Sequence, residues 1–320
     1  MSVTFSGAFT FGGGGFTATL APPSIATAGW VTGGTPGYST VQRIIFATDT
    51  ATASVRGPLS YVVFNGAGVG TLTDGWFAGG YLGSPTSLKT NITRITYATD
   101  TATSTDRGFL SIAKSMGGTG AVGNSTYGWF NGGRQQTAPN NLSNVQRITY
   151  STDTATTSNR GPLSSARYGL GSVGTNNYGW CAAGYGSTGS TTLVDRIDYA
   201  NDTATASVRG PLSAGKYNVG GSSDGTTYGW IAGGAPGSSI VQRIIYATDT
   251  ADASVRGPLS LTNRNQMGVT GDNNYGWFAG GNPITSIIDR ITYSNDTATA
   301  TARGPLAVAV YGIGAASGLQ

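Results

Sequence analysis

Arginine and aspartate are the residues of this chain whose type and spacing could do chemistry. The 320 residues contain no histidine and no glutamate, so all fourteen acids are aspartate. Six of them (Asp49, Asp100, Asp153, Asp202, Asp249 and Asp296) recur at one turn position. Arginine recurs at two positions. Arg43, Arg94, Arg147, Arg196, Arg243 and Arg290 precede isoleucine, and Arg56, Arg107, Arg160, Arg209, Arg256 and Arg303 open an R-G-P-L segment (R-G-F-L at Arg107) seven residues after the aspartate. Without imidazole or glutamate, acid–base catalysis, a Ser-His-Asp triad and a histidine-ligated metal all lack their parts. No catalytic residue, metal or cofactor is assigned, and the chain is read as a non-enzyme. Arginine and aspartate can form charge-assisted pairs within or between structural units; the competing reading is a ring that binds a ligand.

The elements that must position these groups are repeats. The arginines before isoleucine are spaced by 51, 53, 49, 47 and 47 residues. Six tryptophans keep step with them: Trp30, Trp76, Trp129, Trp180, Trp230 and Trp277. A period near fifty marks an array of one supersecondary unit and outweighs the two-domain expectation from length. Glycine is abundant and only 10% of residues are charged, but large side chains kept in register argue for order.

Residues 164–212 show the unit. Tyr168 to Val173 starts a strand A, Tyr178 to Gly184 forms strand B, Leu193 to Tyr199 strand C, and Ala204 to Arg209 strand D after an Asn201-Asp-Thr hairpin turn. Four short antiparallel strands without helical periodicity predict a propeller blade. The small residues of strand A and the Gly-Gly after Trp suit strands converging on a central channel. Trp and the strand-C aromatics Phe46, Tyr97, Tyr150, Tyr199, Tyr246 and Tyr293 would fill the wedges between blades; an aromatic row for sugars is the alternative. After the last R-G-P-L comes Val310-Tyr-Gly-Ile-Gly-Ala315, close to Tyr168-Gly-Leu-Gly-Ser, whereas nothing similar precedes Trp30. The C-terminal strand, about 307–317, should therefore complete the first blade. The expected fold is all-β: a six-bladed propeller over 24–320, preceded by an arm at 1–23.

With small residues in strand A, an aromatic strand ending in Gly-Gly, then V-x-R-I-x-Y and D-T-A-T, the array resembles the kelch repeat over roughly residues 24–320. That resemblance implies a propeller and is nearly silent on function. The chain departs from the pattern by carrying Trp in strand B and Ala or Ser where strand D usually has Trp.

Six bases lie outside the repeated positions: Lys89, Lys114, Arg134, Arg167, Lys216 and Arg264. Their places in B–C and D–A loops predict a single basic face. Asp74, Asp224 and Asp272 fall in A–B turns on the opposite face, which makes the disc dipolar. The B–C loops vary most, with Trp-to-Arg distances of 13, 18, 18, 16, 13 and 13 residues. Variable loops on a rigid disc commonly carry binding; plain solvated loops are the alternative. The ligand-binding set is Tyr81, Lys89, Lys114, Arg134, Gln135, Arg167, Tyr185, Lys216 and Arg264.

A net charge of +4 without basic runs gives no nucleic-acid signature, and no apolar run suits membrane insertion. The N-terminus lacks the basic and apolar segments of a secretion signal. Phe5, Phe9 and Phe11 on a glycine-tethered segment read as an anchor, with a tail folded along the flank as the alternative. Gly/Thr/Ser-rich, low-charge arrays of this kind resemble fibre and decoration proteins of tailed bacteriophages. That resemblance implies a virion protein, attached to other virion proteins through 1–22, whose propeller faces a host surface polysaccharide for host attachment. The alternative is a kelch-type protein-interaction module.

Overall fold

The computed structural model describes residues 26–35, 39–82, 87–117, 119–138 and 140–317. The anchor residues Phe5, Phe9 and Phe11 lie outside them. Within them stand six four-stranded antiparallel sheets, each ordered A-B-C-D from the axis outward. Each innermost strand touches the next, and the last touches the first, so the sheets close into a propeller. In blade 4 the strands are Gly171–Gly174, Tyr178–Ala182, Val194–Asp198 and Ser207–Arg209. Blade 1 takes its strand A from the other end of the chain. Ile313–Ser317 pairs antiparallel with Ala28–Gly33, placing Ala315 opposite Val31. The chain is thereby closed by its C-terminal strand and no blade lacks its inner member.

Burial follows strand position. Strand B of blade 4 is buried from Gly179 onward, strand C alternates, and strand D is largely exposed. The sheet pleat therefore hides the apolar set only where a neighbouring blade covers both faces. The six tryptophans are 0–6% exposed. Each stacks on the aromatic of the following blade: Trp30 on Tyr97 at 3.6 Å, Trp129 on Tyr199 at 3.9 Å, and Trp277 on Phe46 at 4.0 Å between ring centroids. These rings are the wedge filling, and the last stack seals blade 6 to blade 1.

The recurring charges form the second half of the same joint. The Asp100 carboxylate of blade 2 accepts hydrogen bonds from Trp30 Nε1 at 2.9 Å and Arg43 Nη1 at 3.0 Å, both of blade 1. Arg56, from the R-G-P-L of blade 1, stands 3.5 Å away. Asp153, Asp202, Asp249 and Asp296 repeat this arrangement, and Asp49 takes Trp277, Arg290 and Arg303 of blade 6. Backbone bonds lock the same segments together. Gly57 N–H donates to Asp100 C=O and Ser104 N–H to Pro58 C=O. A Cβ on Gly57, Gly161 or Gly304 would drive into the carbonyl of Ala102, Ala204 or Ala51 of the next blade, so this close approach excludes any other residue. R-G-P and D-T-A-T are thus two sides of one interblade latch.

Three local readings change. The strand-C aromatic and the residues before the turn aspartate form a one-turn 3₁₀ helix (Tyr199–Asn201 in blade 4) instead of a plain hairpin turn. That turn swings the ring and carboxylate together toward the preceding blade. Strands A and D are shorter than the sequence suggested, because each is paired over only a few residues. The Gly-Gly after strand B meets a second demand besides close approach: Gly33 and Gly34 have φ of 73° and 106°, and a Cβ on either would also meet the carbonyl of Val63 or Tyr311.

Removing residues 307–320 should leave blade 1 without its inner strand and abolish cooperative folding; a truncated chain with an unchanged melting temperature would refute the closure. Asp153→Ala strips Trp76 Nε1 and Arg94 Nη1 of their buried acceptor and Arg107 of its ion pair, and is expected to cost about 3–5 kcal/mol in urea unfolding. A loss below about 1 kcal/mol would show that the latch contributes little.

Candidate functional site

The D–A and B–C loops meet around the axis on one face. At its centre the backbone makes a closed circle of six hydrogen bonds. Asn65 N–H donates to Gly312 C=O, Gly312 to Gln266, Gln266 to Asn218, Asn218 to Gly169, Gly169 to Met116, and Met116 to Asn65, all at 2.7–3.0 Å. Five of the six members turn left-handed to offer this geometry: Asn65 (φ 58°), Gly169 (72°), Asn218 (55°), Gln266 (55°) and Gly312 (69°); in blade 3 the left-handed residue is Gly117 (64°), next to Met116. Glycine takes that conformation freely, and asparagine is the commonest alternative. Three blades therefore send a carboxamide, not a hydrogen atom, toward the axis.

These carboxamides form the floor of a pocket of about 290 Å³, with walls from Tyr81, Leu88, Ser115, Arg134, Gln135 and Tyr168. Gln266 Nε2 donates to Asn65 Oδ1 at 2.9 Å, while Asn218 Oδ1 is buried without a hydrogen-bond partner. Below the floor the channel narrows to a crevice of about 20 Å³, where the Thr119 hydroxyl accepts Gly221 N–H at 2.8 Å. The pocket is therefore blind. A second hollow of about 510 Å³ lies off the axis between the loops of blades 3 and 4 and includes Tyr185, Asn141 and Ser187. Arg134, Asn140 and Tyr168 border both hollows.

The residues at this face are held from the backbone. Tyr81, Arg134 and Tyr185 each follow strand B and form an isolated antiparallel bridge to a D–A loop residue: Phe64, Ser115 and Tyr168. Tyr168, Tyr185 and Tyr217 form one aromatic cluster with centroids 5.1–6.1 Å apart, and Phe64 packs edge-on to Tyr81 and Tyr311. The Arg134 guanidinium stands 5.8 Å from the Tyr168 ring. Burial raises the Tyr81 and Tyr168 hydroxyls above the usual phenol range, with neighbouring tyrosines adding to it and Arg134 opposing. Both remain donors at neutral pH.

The expected basic face is corrected for three of its six members. Lys114, Arg167 and Arg264 are fully buried inside their blades. Arg167 donates to Asp195 at 2.9 Å and to the carbonyls of Ala183, Cys181 and Ser165; Arg264 donates to Asp289 at 2.8 Å and to Gly280 and Phe278. Lys114 Nζ donates to Phe130 C=O at 2.9 Å. These long side chains tie each D–A loop to its own strands B and C, so no ligand can reach them. Val63 and Val310 occupy the equivalent places in blades 2 and 1, both buried. A signal for this was present: aspartate precedes the strand-C arginine only in blades 4 and 6, the two blades whose D–A loop carries arginine. The dipolar reading loses half of its basic side with them. Of the remaining bases, Lys216 Nζ donates to Pro236 C=O at 2.9 Å and Lys89 lies beyond Leu88; neither lines a hollow. Tyr81, Arg134 and Gln135 do come together at the axial pocket, and Tyr185 lines the outer one. Asn65, Asn218 and Gln266 were missed, because a hub residue shows no type preference until its left-handed backbone is seen, and Tyr168 was read only as the start of strand A.

The fifteen arginines (eighteen bases less three lysines) divide sharply. Fourteen pair with an aspartate. Arg134 has no aspartate partner among the described residues. Among the described residues no aspartate lines either hollow. Cys181 is buried, and desolvation lifts its thiol to about 12, which leaves it unreactive. The described residues hold no cluster of three or more His, Cys, Asp or Glu that could bind a metal. No helix among them is long and apolar enough to cross a membrane. The chain matches no protein-family model and no curated protein.

Burial pushes the Lys114 ammonium down to about 7. In the unfolded chain it titrates near 10.4, so between those values the unfolded state binds the extra proton and stability rises with pH. From pH 7 to 9 the gain should be about 2 kcal/mol in denaturant unfolding, and Lys114→Met should flatten it. An equal rise in the variant would place the effect elsewhere.

Proposed function

We propose that this propeller is a non-enzymatic recognition module that binds carbohydrate on its loop face. The observation that carries the reading is the blind axial pocket, walled by tyrosine, floored by carboxamides and bordered by an arginine that the fold leaves without an aspartate. Sugars present apolar ring faces that stack on aromatic side chains, and hydroxyls that both donate and accept. Carboxamides answer hydroxyls in both senses, and phenols add donors at the rim. The pocket lies at the small end of ligand-site volumes, and its polar groups converge as those of small-molecule sites do. A protein partner would need a broader face with an apolar centre.

The setting we propose is the particle of a tailed bacteriophage, with the ligand a polysaccharide of the host surface. The low-charge, Gly/Thr/Ser-rich repeat supports this, as does a ring whose strength rests on repeated interblade latches. Attachment through residues 1–22 to other virion proteins belongs to the same proposal. Mass spectrometry of purified particles should find the chain in stoichiometric amounts; its absence would remove the virion setting. Tyr81→Ala combined with Tyr168→Ala is expected to lower binding on a bacterial glycan array by more than about tenfold while the melting temperature holds. Unchanged array binding would place recognition elsewhere.

A further inference from the structure

We infer that the propeller reads the end of a glycan chain and that the terminal sugar carries a carboxylate. This rests on the carbohydrate reading above and adds to it a chain direction and a charge. The direction follows from the two hollows. The axial pocket is blind because the carboxamides of Asn65, Asn218 and Gln266 form its floor and the channel below narrows to about 20 Å³ beside Thr119. A polymer cannot thread through it, so whatever enters must end there. Its way out is over the ridge that Arg134, Asn140 and Tyr168 share with the off-axis hollow, whose about 510 Å³ can take the sugars that follow. Tyr185 and Tyr168 give that second hollow its aromatic surface.

The charge follows from Arg134. It is the only charged side chain lining either hollow, and the only arginine in the chain without an aspartate partner among the described residues. Elsewhere the fold sets each arginine against an aspartate, down to fully buried pairs such as Arg167–Asp195. The exception sits where a ligand would supply the missing anion. Its backbone is fixed by two bonds to Ser115, with Arg134 N–H to Ser115 C=O at 2.8 Å and the reverse at 2.9 Å, so the base of the side chain is preorganised. A single planar guanidinium matches a carboxylate in bidentate fashion. A phosphate monoester, nearly dianionic, would call for several donors or a backbone amide cradle, and neither hollow has a second base. Deeper in, Asn65, Asn218 and Gln266 line the pocket with carboxamides that would meet the hydroxyls of the same sugar. The terminal unit is thus a uronic or sialic type of sugar, with its carboxylate at the Arg134 rim and its hydroxyls on the floor.

The test compares defined probes by calorimetry on the full chain: a hyaluronan tetrasaccharide ending in glucuronate at its non-reducing end, the trisaccharide ending in N-acetylglucosamine, sialyllactose and lactose. At least one acid-ended probe should bind more than about tenfold tighter than its neutral-ended counterpart. Arg134→Gln should remove that preference, and Ser115→Trp, which fills the axial pocket, should abolish binding at an unchanged melting temperature. Equal affinity for acid-ended and neutral-ended probes, or a preference that survives Arg134→Gln, overturns the charge. Tight binding of the trisaccharide, whose glucuronate is internal, overturns the end reading; in both cases the carbohydrate reading stands. Failure of these probes and of every glycan on the array overturns that reading as well.

Discussion

One carboxylate oxygen per blade holds this ring together. The turn aspartate receives an indole N–H and a guanidinium from the blade before it, while the tryptophan that donates the N–H stacks on an aromatic only three residues upstream of the same aspartate. The ion pair, the hydrogen bond and the stack are therefore not three independent contacts. None can be moved without moving the others. A charge this buried would be costly alone, and it is sustained because charged and polar donors surround it. Six copies in a circle make the arrangement self-consistent: each blade offers a tryptophan and two arginines forward and presents an aspartate and an aromatic backward.

Closure is what makes the copies equivalent. The sixth latch joins Trp277 to Asp49, residues far apart in the chain, and it exists only because the C-terminal strand has entered blade 1. The same strand brings Gly312 into the hydrogen-bonded circle at the hub. Rim and hub are thus completed by one event. The candidate site inherits its rigidity from that event, since its floor is the hub itself and its walls hang from bridges one residue beyond it. Sequence variation can then be confined to side chains at the hub and to the B–C loops, without cost to the frame.

How much of this could be read from the residues alone depends on whether a position repeats. The blade count, the tryptophan wedge and the borrowed strand were legible, because periodic Trp, Arg and the Tyr-Gly-Ile-Gly echo at the C-terminus state them directly. The meaning of R-G-P and D-T-A-T as two halves of one joint was not, since they lie in different blades and only the close backbone approach at Gly57 and its equivalents unites them. Charge was the poorest guide. Counting Lys114, Arg167 and Arg264 as surface bases overlooked that their places in the D–A loop are held by valine in two other blades, Val63 and Val310. The hub carboxamides were invisible for a different reason: a left-handed backbone is a property of the assembled circle, and Asn65, Asn218 and Gln266 share no local motif.

The six latches act together, and the six indole N–H protons report it directly. Native-state hydrogen exchange followed by NMR should show all six resolved, with Trp30 and Trp277 at the closure protected to the same free energy as Trp129 and Trp180, within about 1 kcal/mol of global unfolding. Protection of Trp30 and Trp277 lower by several kcal/mol would mean that the ring opens at its seam while the other blades stand, and would contradict the claim.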